Sequence, residues 1–319
     1  MTALGAYSKG VHEIAPRTFA YLQPDGSWGY SNAGLVVGNG STLLVDTLFS
    51  IELTAEMLAD LRREVQGLDS IEWLVNTHAN GDHCYGNELV HGSTIVSSRS
   101  TAEDISHDDP AILQGALDNA ETLGEVGSYF RHCFGSFDFN GVHITAPTLT
   151  FDGSLSLDVG GRLVELIELG PAHTSGDVVV HVPDVEVLYA GDLLFIGGTP
   201  IVWVGPIAHW IDACDAMVAL NPKVVVPGHG PICDSAGIIQ VRDYLEFVLE
   251  QSSRRLARGM DPWDAALDIE LGSFSSWLDF ERISVNVAMA YHELDATHWP
   301  AVSAIEGFTS MSRYLARNG

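Results

Sequence analysis

The chain has 319 residues, 46% of them hydrophobic and 18% charged, and 42 acidic residues against 15 basic ones give a formal net charge of −27. Such a composition supports a sizeable core and excludes intrinsic disorder. A surface of that sign repels phosphate backbones and argues against a nucleic-acid partner, although a bound cation can dominate the field locally.

The opening stretch, MTALGAYSKGVHE, has no basic segment leading into an apolar one, and the longest apolar runs, such as DVVVHV, are strand-sized. The expectation is a cytoplasmic protein with no membrane partner. NAGLVVGNGSTLLVDT reads as two strands joined at Asn39-Gly40, a strong hairpin signal. Residues 51–65 carry apolar positions at helical spacing, and IEWLVNT and STIVSS are strands. A long helix-compatible stretch covers about 111–134. Between 142 and 226 the pattern is mostly strands: VHITAPTLTF, GSLSLDVGGRLVELIEL, DVVVHVPDVEVLYAGD and KVVVPGHG, with turns at Gly160-Gly161 and Pro183-Asp184 and one helix over 209–220. After Asp234 the strand signal ends and the pattern is helix or loop. Two helix and strand blocks predict two sheets with helices outside them, a domain over 1–235 and a helical extension over 236–319.

Polar residues recur just beyond the strands. His78, Asn80, Asp82 and His83 follow IEWLVNT; His173 follows VELIEL; Asp192 ends VEVLYAGD; His229 lies in VVVPGHG. Each lies near glycine or proline, where a loop can lift a side chain over the sheet rim. Neutral imidazoles and carboxylates converging from several strand ends suit zinc, iron or manganese. The cysteines Cys84, Cys133, Cys214 and Cys233 lack C-x-x-C spacing and read as free thiols in a reduced compartment, Cys84 as a packing residue beside the histidines.

The ordered set resembles the metallo-β-lactamase fold superfamily, whose signature is H-x-H-x-D-H, then a histidine, a bridging aspartate and a last histidine. Here it runs His78-Ala79-Asn80-Gly81-Asp82-His83, then His173, Asp192 and His229, with family-like VDT (45–47) and AGD (190–192) beside it. The resemblance covers roughly residues 11–235. It implies an α/β fold, the αβ/βα four-layer sandwich with a metal cleft at one rim. It also implies one metal site of His78, Asn80 and His173, a second of Asp82, His83 and His229, Asp192 between them, and Asp46 holding a ligand imidazole. Asn80 departs from the family, which usually has histidine there. An amide is a poor zinc ligand, so the first site should be weak or empty, or Asn80 contributes an oxygen or a bond to bound water.

The activity implied is a zinc-dependent hydrolase with one or two ions, iron or manganese not excluded. It would turn a metal-activated water on an ester, thioester, lactone or amide of a small apolar or aromatic molecule. Asp82 would orient the water, and His78 or Asn80 would polarise the attacked carbonyl. A polyketide cyclase or thioesterase of the same fold, an iron-dependent oxygenase and a non-catalytic binding module remain alternatives. The expected partner is a small-molecule substrate, with homo-oligomerisation left open. Trp263, Trp277, Asn286, Tyr291, His292 and Trp299 read mostly as core of the extension. A few of them could wall the pocket with Trp28, Tyr85, Trp203 and His209. His12, His91, His107, His132, His143, His181 and His298 read as surface or satisfied core.

Overall fold

The computed structural model describes residues 4, 5 and 7–318. Met1 to Ala3, Ala6 and Gly319, which belong to the expected opening stretch and domain limits, lie outside the described residues.

Strands β1 (Gly10–Ala15) and β2 (Thr18–Leu22) pair antiparallel. The Asn39-Gly40 hairpin forms as expected between β3 (Ala33–Val37) and β4 (Thr42–Val45), with Gly40 at φ 71°. Helix α1 (Ile51–Glu64) starts where the Ser50 side chain accepts the Leu53 N–H, and it buries Met57, Leu58 and Leu61. Strand β5 (Trp73–Val75) leads into the short helix α2 (Gly81–Cys84), then β6 (Thr94–Ser98) and α3 (Arg99–His107). The stretch over 111–134 is two helices rather than one, α4 (Pro110–Asp118) and α5 (Gly124–Phe134). Asn119 ends the first by donating to the Gly115 carbonyl, and Gly124, at φ 63°, restarts the chain in a new direction. Of VHITAPTLTF only β7 (Leu149–Phe151) pairs, because Pro147 has no donor for a ladder.

The second half follows the expected turns. Strands β8 (Ser154–Val159) and β9 (Arg162–Glu168) form a hairpin, as do β10 (Val178–Val182) and β11 (Val187–Phe195). Helix α6 (Ile207–Ala219) crosses to β12 (Val224–His229), which lies parallel to β11. The extension holds α7 (Ser235–Leu256), α8 (Pro262–Asp268), α9 (Ile283–Leu294) and α10 (Ala304–Asn318).

A seven-stranded sheet in the order β1 to β7 faces a five-stranded sheet in the order β12-β11-β10-β9-β8. The period-2 alternation sorts the side chains into layers. Leu43, Val45, Val75 and Val96 point inward to meet Val164, Val180, Tyr189 and Val226 from the other sheet. Their neighbours Leu44, Leu74 and Ile95 point outward against α1. Val179, Leu188 and Val225 point outward from the second sheet into a core shared by α6, α7 and α9. The extension thus builds on the same core as the second sheet. Parallel pairs β4/β5 and β11/β12 end at one rim, the place where α/β sheets present side chains to ligands. No helix of the described residues is long and apolar enough to cross a membrane.

Candidate metal centre

Asp46, Thr77, His78, Asp82, His83, Asp192 and His229 come from the rim ends of β4, β5, β11 and β12, and His173 from the loop between β9 and β10. All are buried. Asp46 sits at φ 62°, an uncommon conformation for a non-glycine residue. That backbone turns its carboxylate under the His78–His83 segment. Asp46 Oδ1 accepts the Thr77 N–H at 2.7 Å, and Oδ2 accepts both the Thr77 hydroxyl at 2.7 Å and the His83 Nδ1–H at 2.9 Å. Since the Thr77 hydroxyl is spent on Asp46, its oxygen is free to accept the His78 Nδ1–H at 3.0 Å. Two carbonyls complete the pattern: Ile201 O accepts the His173 Nδ1–H at 2.8 Å and Gly26 O the His229 Nδ1–H at 3.1 Å. Every imidazole is therefore held at Nδ1 with Nε2 turned inward, the tautomer a metal ligand needs.

Asp192 is the hub. Its Oδ1 lies 3.0 Å from His83 Nε2, and its Oδ2 lies 3.4 Å from both His173 and His229 Nε2 and 3.7 Å from His78 Nε2. Asp82 Oδ2 is 3.3 Å from His229 Nε2. Two glycines make room: a Cβ on Gly228 would collide with Asp192 Oδ1, and one on Gly191 with the Thr77 hydroxyl. His78 Nε2, His83 Nε2 and Asp192 Oδ1 have no hydrogen-bond partner among the described residues. Lone pairs 3.0 Å apart repel unless a cation, a proton or a metal ion, lies against them. The donor set therefore fits a divalent metal ion, and the ligand atoms of Asp82, His83 and His229 lie within 4.8 Å of one another, as do those of His78, His83 and Asp192.

The electrostatics agree. Burial by itself disfavours the charged ring of His83, yet Asp192, Asp46 and Asp82 lift its pKa well above the usual value. His229, also opposed by burial, is pushed up to about 9 by Asp192 and Asp82. Burial would raise Asp192, but His229, His83 and His78 hold it well below the carboxylate range. Burial, then His83, keeps His78 neutral. The carboxylates thus favour positive charge at the pocket floor, the field a metal cation would meet there.

Asn80 stands at the start of α2 but makes no capping bond. Its side chain turns into the site, where Nδ2 donates to His173 Nε2 at 3.0 Å. His173 Nδ1 already donates to Ile201, so its Nε2 is an acceptor and the partner has to be a donor. His173 belongs to neither of the two close ligand sets. Cys84 is buried and donates to the Ala79 and Asn80 carbonyls, and all four cysteines are free.

A cavity of about 530 Å³ opens over the centre, with Asn80, Asp82, His173, Asp192 and His229 in its floor. Trp28, Tyr85 and Trp203 wall it, as expected; His209 does not. From the extension it takes Arg282, Ala304 and Phe308 and none of the tryptophans, while His107 stands in the lining rather than apart from the site. Asn76 and Asn87, not singled out by sequence, bond to each other at 2.8 Å, and Asn76 holds the His83 carbonyl at 3.0 Å. Asn76 stands two residues before His78, the one local signal for that role; Asn87 carried none.

A model of the metallo-beta-lactamase superfamily matches residues 26–229. The chain belongs to that superfamily. Among curated proteins it is similar to the acyl-coenzyme A thioesterase MBLAC2 of Bos taurus, 23% identical over 211 residues, covering 62% of this chain and 72% of the relative. It is also similar to the 2,4-dinitroanisole O-demethylase subunit alpha of Nocardioides sp. (strain JS1661), 23% identical over 154 residues, 46% of this chain and 40% of that one. Among solved structures, the stereoselective inverting sec-alkylsulfatase Pisa1 from Pseudomonas sp. superposes with a TM-score of 0.67 at 16% identity, over 89% of this chain and 50% of that chain. This superfamily member thus spans about half the length of the alkylsulfatase. The metallo-beta-lactamase from Pontibacter korlensis gives 0.55 at 22% identity, over 75% of this chain and 99% of that one. At these identities the structural likeness speaks for the fold.

Proposed function

We propose that the protein is a zinc-dependent hydrolase acting on an ester, thioester, lactone or amide of a small apolar or aromatic substrate. The observation that carries this reading is the set of unpartnered, buried ligand atoms of His78, His83 and Asp192 beneath an aromatic-walled cavity. Asp82, His83 and His229 would hold the cation, with Asp192 beside them. A divalent cation bound there would lower the pKa of its water toward about 7 and polarise the acyl oxygen. Asp82, in the cavity floor, accepts the proton of the attacking water and orients it. Asn80 is anchored by one N–H to His173 and keeps a second to donate to the developing oxyanion.

The acyl-coenzyme A thioesterase activity of MBLAC2 fits this cavity poorly. The cavity lining carries Asp104, Asp108 and Asp109, and the guanidinium of its Arg282 is paired with Asp279. An uncharged acyl or aryl substrate suits that field better than one bearing phosphates. The test is turnover of a panel of uncharged aryl esters, thioesters and lactones before and after dialysis against a chelator. Activity should vanish on metal removal and return with zinc. Turnover untouched by complete removal would refute the reading, and tight binding without turnover would favour a binding module.

Asn80 makes the protein a one-metal enzyme in this reading, because its amide occupies His173 Nε2. Asn80→His should then retain one more zinc per chain than the parent after dialysis, measured by elemental analysis. Equal retention of two ions by both proteins would contradict it.

A further inference from the structure

Arg282, at the foot of α9, is 2% exposed and is held through both Nη atoms. Its Nη1 donates to the Thr199 carbonyl at 2.9 Å, and Nη2 pairs with Asp279 at 2.9 Å. The guanidinium carbon lies 4.0 Å from the Trp28 ring centroid and 5.4 Å from that of Phe195. Phe195 in turn lies flat on His229, with centroids 5.1 Å apart and the planes 2° from parallel. The Trp28 segment supplies the other restraint, because Gly26, two residues earlier, accepts the His229 Nδ1–H. The face of the His229 ring is therefore set by a ring that rests against Arg282, and its Nδ1 by a carbonyl two residues from Trp28, the other ring against Arg282.

We propose that Arg282 is a positioning residue for His229: the extension inserts a planar cation between Trp28 and Phe195, and that wedge fixes the direction of His229 Nε2 toward Asp82 and Asp192. This rests on the reading of His229 as a metal ligand. A planar cation suits the place, because the guanidinium carbon lies over both rings while its Nη atoms donate to Thr199 and Asp279. Lysine carries the charge but neither the plane nor the fork. Asn286, one helical turn further along α9, supports the same region. It accepts from Val202 N–H at 2.9 Å and donates to the Pro200 carbonyl at 2.7 Å, bracketing Ile201, whose carbonyl orients His173.

Arg282→Lys, the paired change Arg282→Met with Asp279→Asn, and Phe195→Leu test the wedge, with Asp279→Asn alone as control. The paired change leaves no buried carboxylate unpartnered, and Phe195→Leu reads the stack without touching the ion pair. Zinc affinity by chelator competition and the visible bands of the cobalt-substituted protein are measured beside circular dichroism. Each Arg282 variant and Phe195→Leu should bind zinc about 10- to 100-fold more weakly, with shifted cobalt bands. Asp279→Asn, which keeps the guanidinium plane and removes only its charge partner, should lose less zinc affinity than the paired change. In turnover kcat should fall more than KM rises. Folded variants with parental affinity and parental cobalt bands would overturn the proposal, even if KM rises. If the Arg282 variants do not fold, parental affinity in Phe195→Leu overturns it alone. A parent that binds no metal overturns the functional reading and this inference with it.

Discussion

Replacing Asp82 with alanine is expected to cut turnover by about 10³-fold or more, the scale of a lost proton acceptor, while the fold survives. The side chain is needed where it stands: it faces the cavity and lies 3.3 Å from His229 Nε2. Its removal takes one member from the Asp82, His83 and His229 set and with it the carboxylate assigned to orient the attacking water, since Asp192 is engaged by the imidazoles. The backbone has its own supports, since the Asp82 carbonyl accepts the Ser31 hydroxyl at 2.5 Å, so the turn persists without the side chain. Asp192 and Asp46 still neutralise the imidazoles. Asp82→Asn separates shape from charge and should lose nearly as much activity. Rates on any substrate of the panel, with circular dichroism as the folding control, decide the matter. Parental rates in a folded Asp82→Ala protein would remove Asp82 from the chemistry.

A chain ending at Asp234 is expected not to accumulate as a soluble folded protein. Helix α7 buries Ile238, Val241, Tyr244, Leu245 and Val248 against α6 and the second sheet, and Trp210, Ala213 and Met217 of α6 lie in the same core. Each fully buried large apolar side chain contributes roughly 1.5–3 kcal/mol. Losing these five is comparable to the whole net stability of about 5–15 kcal/mol. Any soluble fraction should also bind metal weakly, because Arg282 and Asn286 brace the loops that orient His229 and His173. The bracing contacts tie metal affinity to the extension as well. Soluble yield, cooperative thermal unfolding and zinc affinity of the truncated chain are the measurements. A soluble, cooperatively unfolding product with parental zinc affinity would show the extension dispensable.

What the sequence determined by itself was local. Alternation of apolar residues assigned Leu43 and Val45 to one face and Leu44 to the other, and Asn39-Gly40 announced its turn, because both signals lie within a few residues of what they control. The histidines and aspartates at strand ends were legible for the same reason: a strand's end places the next side chain at the sheet rim. That Asn80 was the odd member was equally plain, but its partner was not. Its amide meets His173, 93 residues away, through the facing of two sheets. The single α4–α5 helix expected over 111–134 failed on Gly124, whose positive φ no periodicity reveals. Only the tertiary structure decided which parts of the extension reach the cavity. Phe308 and Arg282 do, while Trp263, Trp277 and Trp299 pack elsewhere in the core. A helix shows from sequence that it has an apolar face, but the surface that face meets depends on the angle and height at which it docks. Those are set by contacts with residues far away in the chain, and for Arg282 they amount to two aromatic rings, a carbonyl and a carboxylate gathered from separate segments.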